Sequence, residues 1–167
     1  MRPNRETTRQ SDSIYFVTTQ TFQRKPFFRH ERWARLLQKT IERYSETKFR
    51  LYAYVIMPDH LHLLLAPHES LEKSIQFIKG GFSFSARKEL DWKGDVWQPG
   101  FTDHRIRDHS DWEHHMDYIR LNPVQAHLAE DSALYPYMNF PIQQFPQGLK
   151  PLSSQNDDVR AKAHTLP

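Results

Sequence analysis

Two histidines separated by one residue, His60 and His62, open the apolar run His60-Leu61-His62-Leu63-Leu64-Leu65, which follows a Pro58-Asp59 turn. An extended strand sends alternate side chains to opposite faces, so His60, His62 and Leu64 share one side while Leu61, Leu63 and Leu65 share the other. The leucine side is core. Two neutral imidazoles one pleat apart can aim their lone pairs at a single divalent cation, although a half-exposed strand with histidines on its polar side has the same spacing. A third ligand and a reactive group must therefore come from elsewhere in the chain. Tyr118 and Asn122 lie four residues apart in a segment with helical patterning, and so fall on nearly the same face one turn from each other. The amide carbonyl of Asn122 can serve as a third metal ligand. The phenol of Tyr118 can act as a nucleophile toward a phosphate polarised by that metal.

The rest of the chain must position these groups. Residues 13 to 21 alternate Ile14, Phe16 and Thr18 against Tyr15, Val17 and Thr19, which predicts a first strand. Glu31 to Glu46 place Trp33, Leu36, Leu37, Ile41 and Tyr44 at helical spacing. Phe49 to Met57 and His60 to Ala66 read as two strands joined at Pro58-Asp59. A second helix is expected from Ser70 to about Leu90, weakened at Gly80-Gly81, where the glycines mark either a break or a close backbone approach. Phe101 to Arg107 read as a fourth strand, Ser110-Asp111-Trp112-Glu113 as a capping box opening a third helix, and Asn122-Pro123 as its end. This order predicts an α+β, ferredoxin-like (RRM-like) domain: a four-stranded antiparallel sheet with two helices on one face. Those two helices cover the leucines, which leaves the histidine face to the third helix.

A chain of 167 residues with 38% hydrophobic and 13% aromatic content fits one compact domain, expected over 1–146, with a flexible tail over 147–167 where periodicity ends. No apolar run approaches the length of a membrane span, and the opening Met1-Arg2-Pro3-Asn4-Arg5 lacks the apolar stretch of a secretory signal, so a cytoplasmic protein is expected. The absence of cysteine removes disulfides, thiolate zinc sites and cysteine nucleophiles. Metal ligands are then limited to His, Asp, Glu, Asn and Gln, and participation of oxygen ligands or phosphate favours Mg2+ or Mn2+. Net charge is only +3, but residues 1 to 50 hold 12 Lys or Arg against 5 Asp or Glu. That bias suits a polyanion, and an ordinary solvated helix face carrying Arg29, Arg32, Arg35, Lys39 and Arg43 explains it equally well.

The segments Met57-Pro58-Asp59-His60-Leu61-His62-Leu63-Leu64 and Asp117-Tyr118-Ile119-Arg120-Leu121-Asn122-Pro123-Val124-Gln125-Ala126 resemble the single-tyrosine transposases of the HUH endonuclease superfamily, an insertion-sequence type. The likeness is strongest to the REP-associated tyrosine transposases. It spans roughly Ser13 to Phe140 and includes Val96-Trp97-Gln98-Pro99-Gly100-Phe101 and Tyr135-Pro136. The resemblance implies that His60 and His62 are the histidines of the HUH motif and that Tyr118 is the nucleophile. It also implies that Asn122 stands where the family places its third metal ligand, often a glutamine. Family members cleave single-stranded DNA next to a hairpin, leaving a 5'-phosphotyrosine link and a free 3'-hydroxyl that can reverse the reaction.

Further expectations follow from residue chemistry. His114 and His115, one turn before Tyr118, can accept its proton or touch phosphate. Lys79, Arg105 and Arg107 can contact phosphates, and Trp97 and Phe101 can stack on unpaired bases. The leading reading is a DNA strand transferase acting on single-stranded DNA with REP-like hairpins, monomeric rather than dimeric. A rolling-circle-type nickase and a non-catalytic hairpin-binding module are the alternatives.

Overall fold

The computed structural model of the protein describes residues 13–147. Its elements are β1 (Tyr15–Gln20), α1 (Glu31–Tyr44), β2 (Phe49–Met57), β3 (His60–Pro67), α2 (Leu71–Leu90), β4 (Thr102–Arg105), α3 (His109–Gln125) and β5 (Met138–Asn139). All strand pairs are antiparallel, in the order β4-β1-β3-β2-β5. The first four strands have the expected ferredoxin-like order. A fifth strand was not expected, because after α3 the chain returns along the outer edge of β2 for only two residues. There it pairs Met138 with Val55 and Asn139 with Tyr54. Tyr135 secures this return by donating its hydroxyl to the Ile56 carbonyl at 2.7 Å. An otherwise open sheet edge is thereby covered.

Strand alternation divides the core in two. Val17, Leu61, Leu63 and Leu65 face Leu37 and Ile41 of α1 and Ile75, Ile78 and Phe82 of α2. Ile14, Val55, Met57 and Leu64 face the other way, against Trp112, Met116 and Ile119 of α3. The third helix therefore covers the histidine face, as the topology requires. Trp112, Met116, Ile119 and Pro123 form its buried stripe, at the spacing of one helical face. The basic residues Arg32, Arg35, Lys39 and Arg43 are exposed on α1, across the sheet from the histidines.

Several boundaries differ from those expected. β1 and β4 are each shorter, and α1 ends at Tyr44, before Glu46 turns to φ 65°. The second helix is unbroken, with Ser70 capping it through its hydroxyl. Gly81 is a close approach, because a Cβ there would lie 2.6 Å from Tyr44 Cε2. The third helix begins two residues before the predicted box: Asp108 is the cap and accepts from the Asp111 N–H at 2.8 Å. Aspartate caps as well as serine, and the earlier start lets Asp111 reach back to the Arg107 N–H at 3.0 Å. Nor does Asn122-Pro123 end the helix, which continues to Gln125 with Pro123 inside and buried. So near the end, proline forfeits one hydrogen bond while its ring adds to the buried stripe. The expected tail lies outside the described residues apart from Gln147. Among the described residues, no helix is long and apolar enough to cross a membrane.

Candidate active site

The β2–β3 hairpin tip is tied down on both sides, which fixes where β3 begins. The Thr21 N–H donates to the Asp59 carbonyl and the Phe28 N–H to that of Pro58, each at 3.0 Å. At this tip, His60 Nδ1 lies 2.6 Å from Asp59 Oδ1, and Arg24 Nε lies 2.8 Å from Asp59 Oδ2. An ionised carboxylate only accepts, so His60 carries its proton on Nδ1 and keeps the Nε2 lone pair. His62 is paired in register with Thr18 on β1, whose hydroxyl lies 2.7 Å from His62 Nδ1. With that hydroxyl accepting, His62 also keeps its lone pair on Nε2.

His62 is 4% exposed, and among the described residues its Nε2 has no hydrogen-bond partner. Burial, with a smaller contribution from neighbouring His60, lowers its pKa to about 3, so the ring is neutral across the physiological range. The two imidazoles lie 4.7 Å apart, centroid to centroid. Such a buried nitrogen without a partner is costly unless something outside the chain completes it. The donor set of two neutral imidazoles suits a divalent cation.

Above the pair, α3 carries a stripe of polar groups beside its buried one: Asp111, His115, Tyr118 and Asn122, at intervals of four, three and four residues. Tyr118 is 41% exposed and approaches His62 edge to face, with centroids 5.2 Å apart. Phe16 joins the two, lying 5.4 Å from His62 and 5.6 Å from Tyr118. Asn122 is half-exposed one turn beyond Tyr118.

Other expected residues are placed differently. Lys79 is half-buried and donates to the carbonyls of Gln98 and Gly100 at 2.7 and 2.8 Å, and burial lowers its pKa. The Trp97 indole donates to the Lys79 carbonyl at 3.1 Å, and its ring packs near Phe28 and Phe82. Phe101 is partly buried against the same core. These three join the loop before β4 to α2, on the face opposite the histidines. Arg105 and Arg107 are exposed, the latter with Nε 3.5 Å from Asp111 Oδ2. His114 is exposed, whereas His115 turns inward, with its ring 4.7 Å from Phe16.

One grouping escaped the sequence reading. His104, Asp111 and His115 bring possible ligand atoms within 4.8 Å of one another and could bind a metal ion. The available signals were the i,i+4 spacing of Asp111 and His115 and the strand position of His104, which pairs with Phe16. Neither element could be related to the other before the sheet order was known.

A ferredoxin-like sheet with a histidine pair on one face, closed by a helix bearing a tyrosine, defines an α+β class of protein built around that face. Residues 9–122 match the model of the IS200-like transposases, more than half of the chain, and the protein belongs to that family. It is 29% identical over 112 residues to the REP-associated tyrosine transposase of Escherichia coli strain K12, covering 65% of this chain and 64% of the relative. It is 31% identical over 115 residues to a putative REP-associated tyrosine transposase of Haemophilus influenzae, covering 62% of this chain. The match thus spans 64% of the length of each curated relative. A solved REP-associated tyrosine transposase bound to a REP hairpin aligns with a TM-score of 0.67 at 26% identity, covering 84% of both chains.

Proposed function

We propose that this protein is a single-tyrosine transposase that cleaves and rejoins single-stranded DNA beside REP-like hairpins, with Tyr118 as nucleophile. His60 and His62 would hold a divalent cation through Nε2, with Asn122 as third ligand. The observation that carries this reading is the buried, partnerless Nε2 of a neutral His62 lying under Tyr118. The hairpin substrate is argued from the relative solved with one.

When bound, Mg2+ or Mn2+ would supply Lewis-acid polarisation of the scissile phosphate. The protein's own groups do the rest. Asp59 and Thr18 hold the imidazoles in the tautomer that presents Nε2. Tyr118 Oη attacks phosphorus; the new O–P bond forms as the bond to the 3'-oxygen breaks, leaving a 5'-phosphotyrosine and a free 3'-hydroxyl. The phenolic proton leaves as the O–P bond forms, and the 41% exposure of Tyr118 opens a route for it to solvent. A 3'-hydroxyl attacking the same phosphorus reverses the step without an external energy source.

The test is incubation of wild type and Tyr118→Phe with labelled hairpin-bearing single strands and Mn2+ or Mg2+ on a denaturing gel. A labelled band at protein mass, absent from Tyr118→Phe and from His60→Ala with His62→Ala, is expected. Hairpin binding without an adduct in wild type would replace the transferase with a non-catalytic binding module.

A further inference from the structure

The first turn of α3 holds a second centre that the transfer reaction does not use. Asp111 lies between two imidazoles, its Oδ2 2.8 Å from His104 Nε2 and its Oδ1 3.1 Å from His115 Nδ1. We propose that His104, Asp111 and His115 form a second cation site, for a divalent transition metal of the Zn2+ or Ni2+ type, that clips α3 to the edge strand β4.

Three features support a site rather than a chance encounter. First, the ligands are brought together by regular structure. Asp111 and His115 are one turn apart on α3, and His104 is aligned on β4 with Phe16 of β1. Their ligand atoms already lie within 4.8 Å of one another, whereas ligands sharing one ion at about 2.1 Å each must lie within about 4.2 Å. His115 Nδ1 also lies 2.8 Å from the Asp111 backbone carbonyl, so binding an ion through that nitrogen exchanges this contact for the metal.

Second, the central carboxylate is oriented and desolvated. Asp111 is 10% exposed, its Oδ2 accepts from the Arg107 N–H, and neighbouring His104 helps hold its carboxyl below the usual range despite burial. A ligating carboxylate supported by a backbone donor is the arrangement that metal sites use. His104, with its side chain 38% exposed, leaves a solvent path for the ion.

Third, the donor chemistry differs from that at His60 and His62. Two imidazoles and a carboxylate form a nitrogen-rich set that favours Zn2+ or Ni2+ over Mg2+. The centres share no ligand: the Phe16 ring stands between them, 4.7 Å from His115 and 5.4 Å from His62. An ion here would fix the start of α3 against β4. Tyr118 is three residues beyond His115, so the effect is on the stiffness of the nucleophile's helix rather than on the phosphate.

The decisive measurement uses untagged, metal-free protein titrated with Zn2+ by calorimetry. Wild type is expected to bind two ions and the His60→Ala/His62→Ala variant one, with a higher melting temperature when that ion is present. Adding His104→Ala to this background should weaken the remaining site at least a hundredfold, and His115→Gln should do the same if His104→Ala perturbs the fold by circular dichroism. No Zn2+ binding in the His60→Ala/His62→Ala background, or binding unaffected by both further changes, would overturn the second site. Neither result bears on the phosphotyrosine adduct, which is read in a separate assay.

Discussion

Tyr118 meets the buried His62 edge to face, with ring centroids 5.2 Å apart and planes at 77°. The helix therefore delivers a phenol to a buried imidazole whose Nε2 has no hydrogen-bond partner among the described residues. Replacing Tyr118 with phenylalanine keeps the ring contacts with His62 and Phe16 and removes only the oxygen. A thermal melt should show a stability change within about 0.5 kcal/mol, as for a surface substitution, while the covalent adduct disappears. A large loss of stability would instead mark the hydroxyl as structural.

Acid should destabilise the metal-free protein through His62. Its folded-state pKa of about 3 lies below the ordinary 6.5, mainly because burial disfavours the charged ring. Between these values the unfolded chain binds a proton that the folded chain refuses, so stability rises with pH across that window and is lost as pH falls. At roughly 1.4 kcal/mol per unit, the effect amounts to a few kcal/mol. Melting temperatures from pH 7 to 4 should fall steeply in wild type and more shallowly in His62→Gln. Equal slopes would assign the acid sensitivity to another group.

The Thr18 hydroxyl is the partner of His62 Nδ1 at 2.7 Å. Thr18→Val keeps the shape and removes the partner, which should cost about 1–3 kcal/mol of stability. Loss of such an orienting bond should also weaken Mn2+ binding about ten- to a hundredfold. Thr18→Ser should restore both. Mn2+ titration followed by electron paramagnetic resonance would check this, and unchanged affinity in Thr18→Val would show that the imidazole needs no such orientation.

Much of this site could be read from residue order, because strand alternation alone separates His60 and His62 from Leu61, Leu63 and Leu65. The helical stripe through Tyr118 and Asn122 was equally plain. What escaped was contact between distant segments. Asp59 and Thr18 look like turn and strand residues until the register pairs Thr18 with His62 and the Nδ1 of His60 finds the Asp59 carboxylate. Lys79 and Trp97 looked available for nucleic acid, yet they bond to the backbone of each other's segments. Local propensity makes Pro123 a helix stop, yet α3 continues past it to Gln125 with the proline ring buried.

Gly80 and Gly81 should respond to alanine with opposite signs. A Cβ at Gly80 meets nothing within 4 Å, so Gly80→Ala should stabilise α2 by about 0.5–1 kcal/mol. At Gly81 the added carbon would lie 2.8 Å from the Tyr44 hydroxyl as well as 2.6 Å from Cε2. Tyr44 also packs on Phe77 at 5.4 Å, so it cannot move without disturbing the contact between α1 and α2. Gly81→Ala should therefore cost about 1–3 kcal/mol by overpacking. Chemical denaturation of the two variants decides it, and similar behaviour would mean that the helices separate freely at this point.

Phe16 is a sheet ring that reaches the nucleophile itself, touching His62, His115 and Tyr118 at 5.4, 4.7 and 5.6 Å. Phe16 itself offers no ligand atom, and His62 Nδ1 stays held by Thr18, so shortening the side chain should leave metal affinity intact while loosening the approach of Tyr118. Misplacement of a reacting group by about an ångström can cost on the order of a hundredfold in rate. Phe16→Leu, which stays apolar, should therefore slow adduct formation about ten- to a hundredfold at saturating Mn2+ with an unchanged Mn2+ dissociation constant. Single-turnover kinetics beside a metal titration separate the two effects. A fall in metal affinity with an unaltered rate would show that Phe16 supports the histidines instead of the tyrosine.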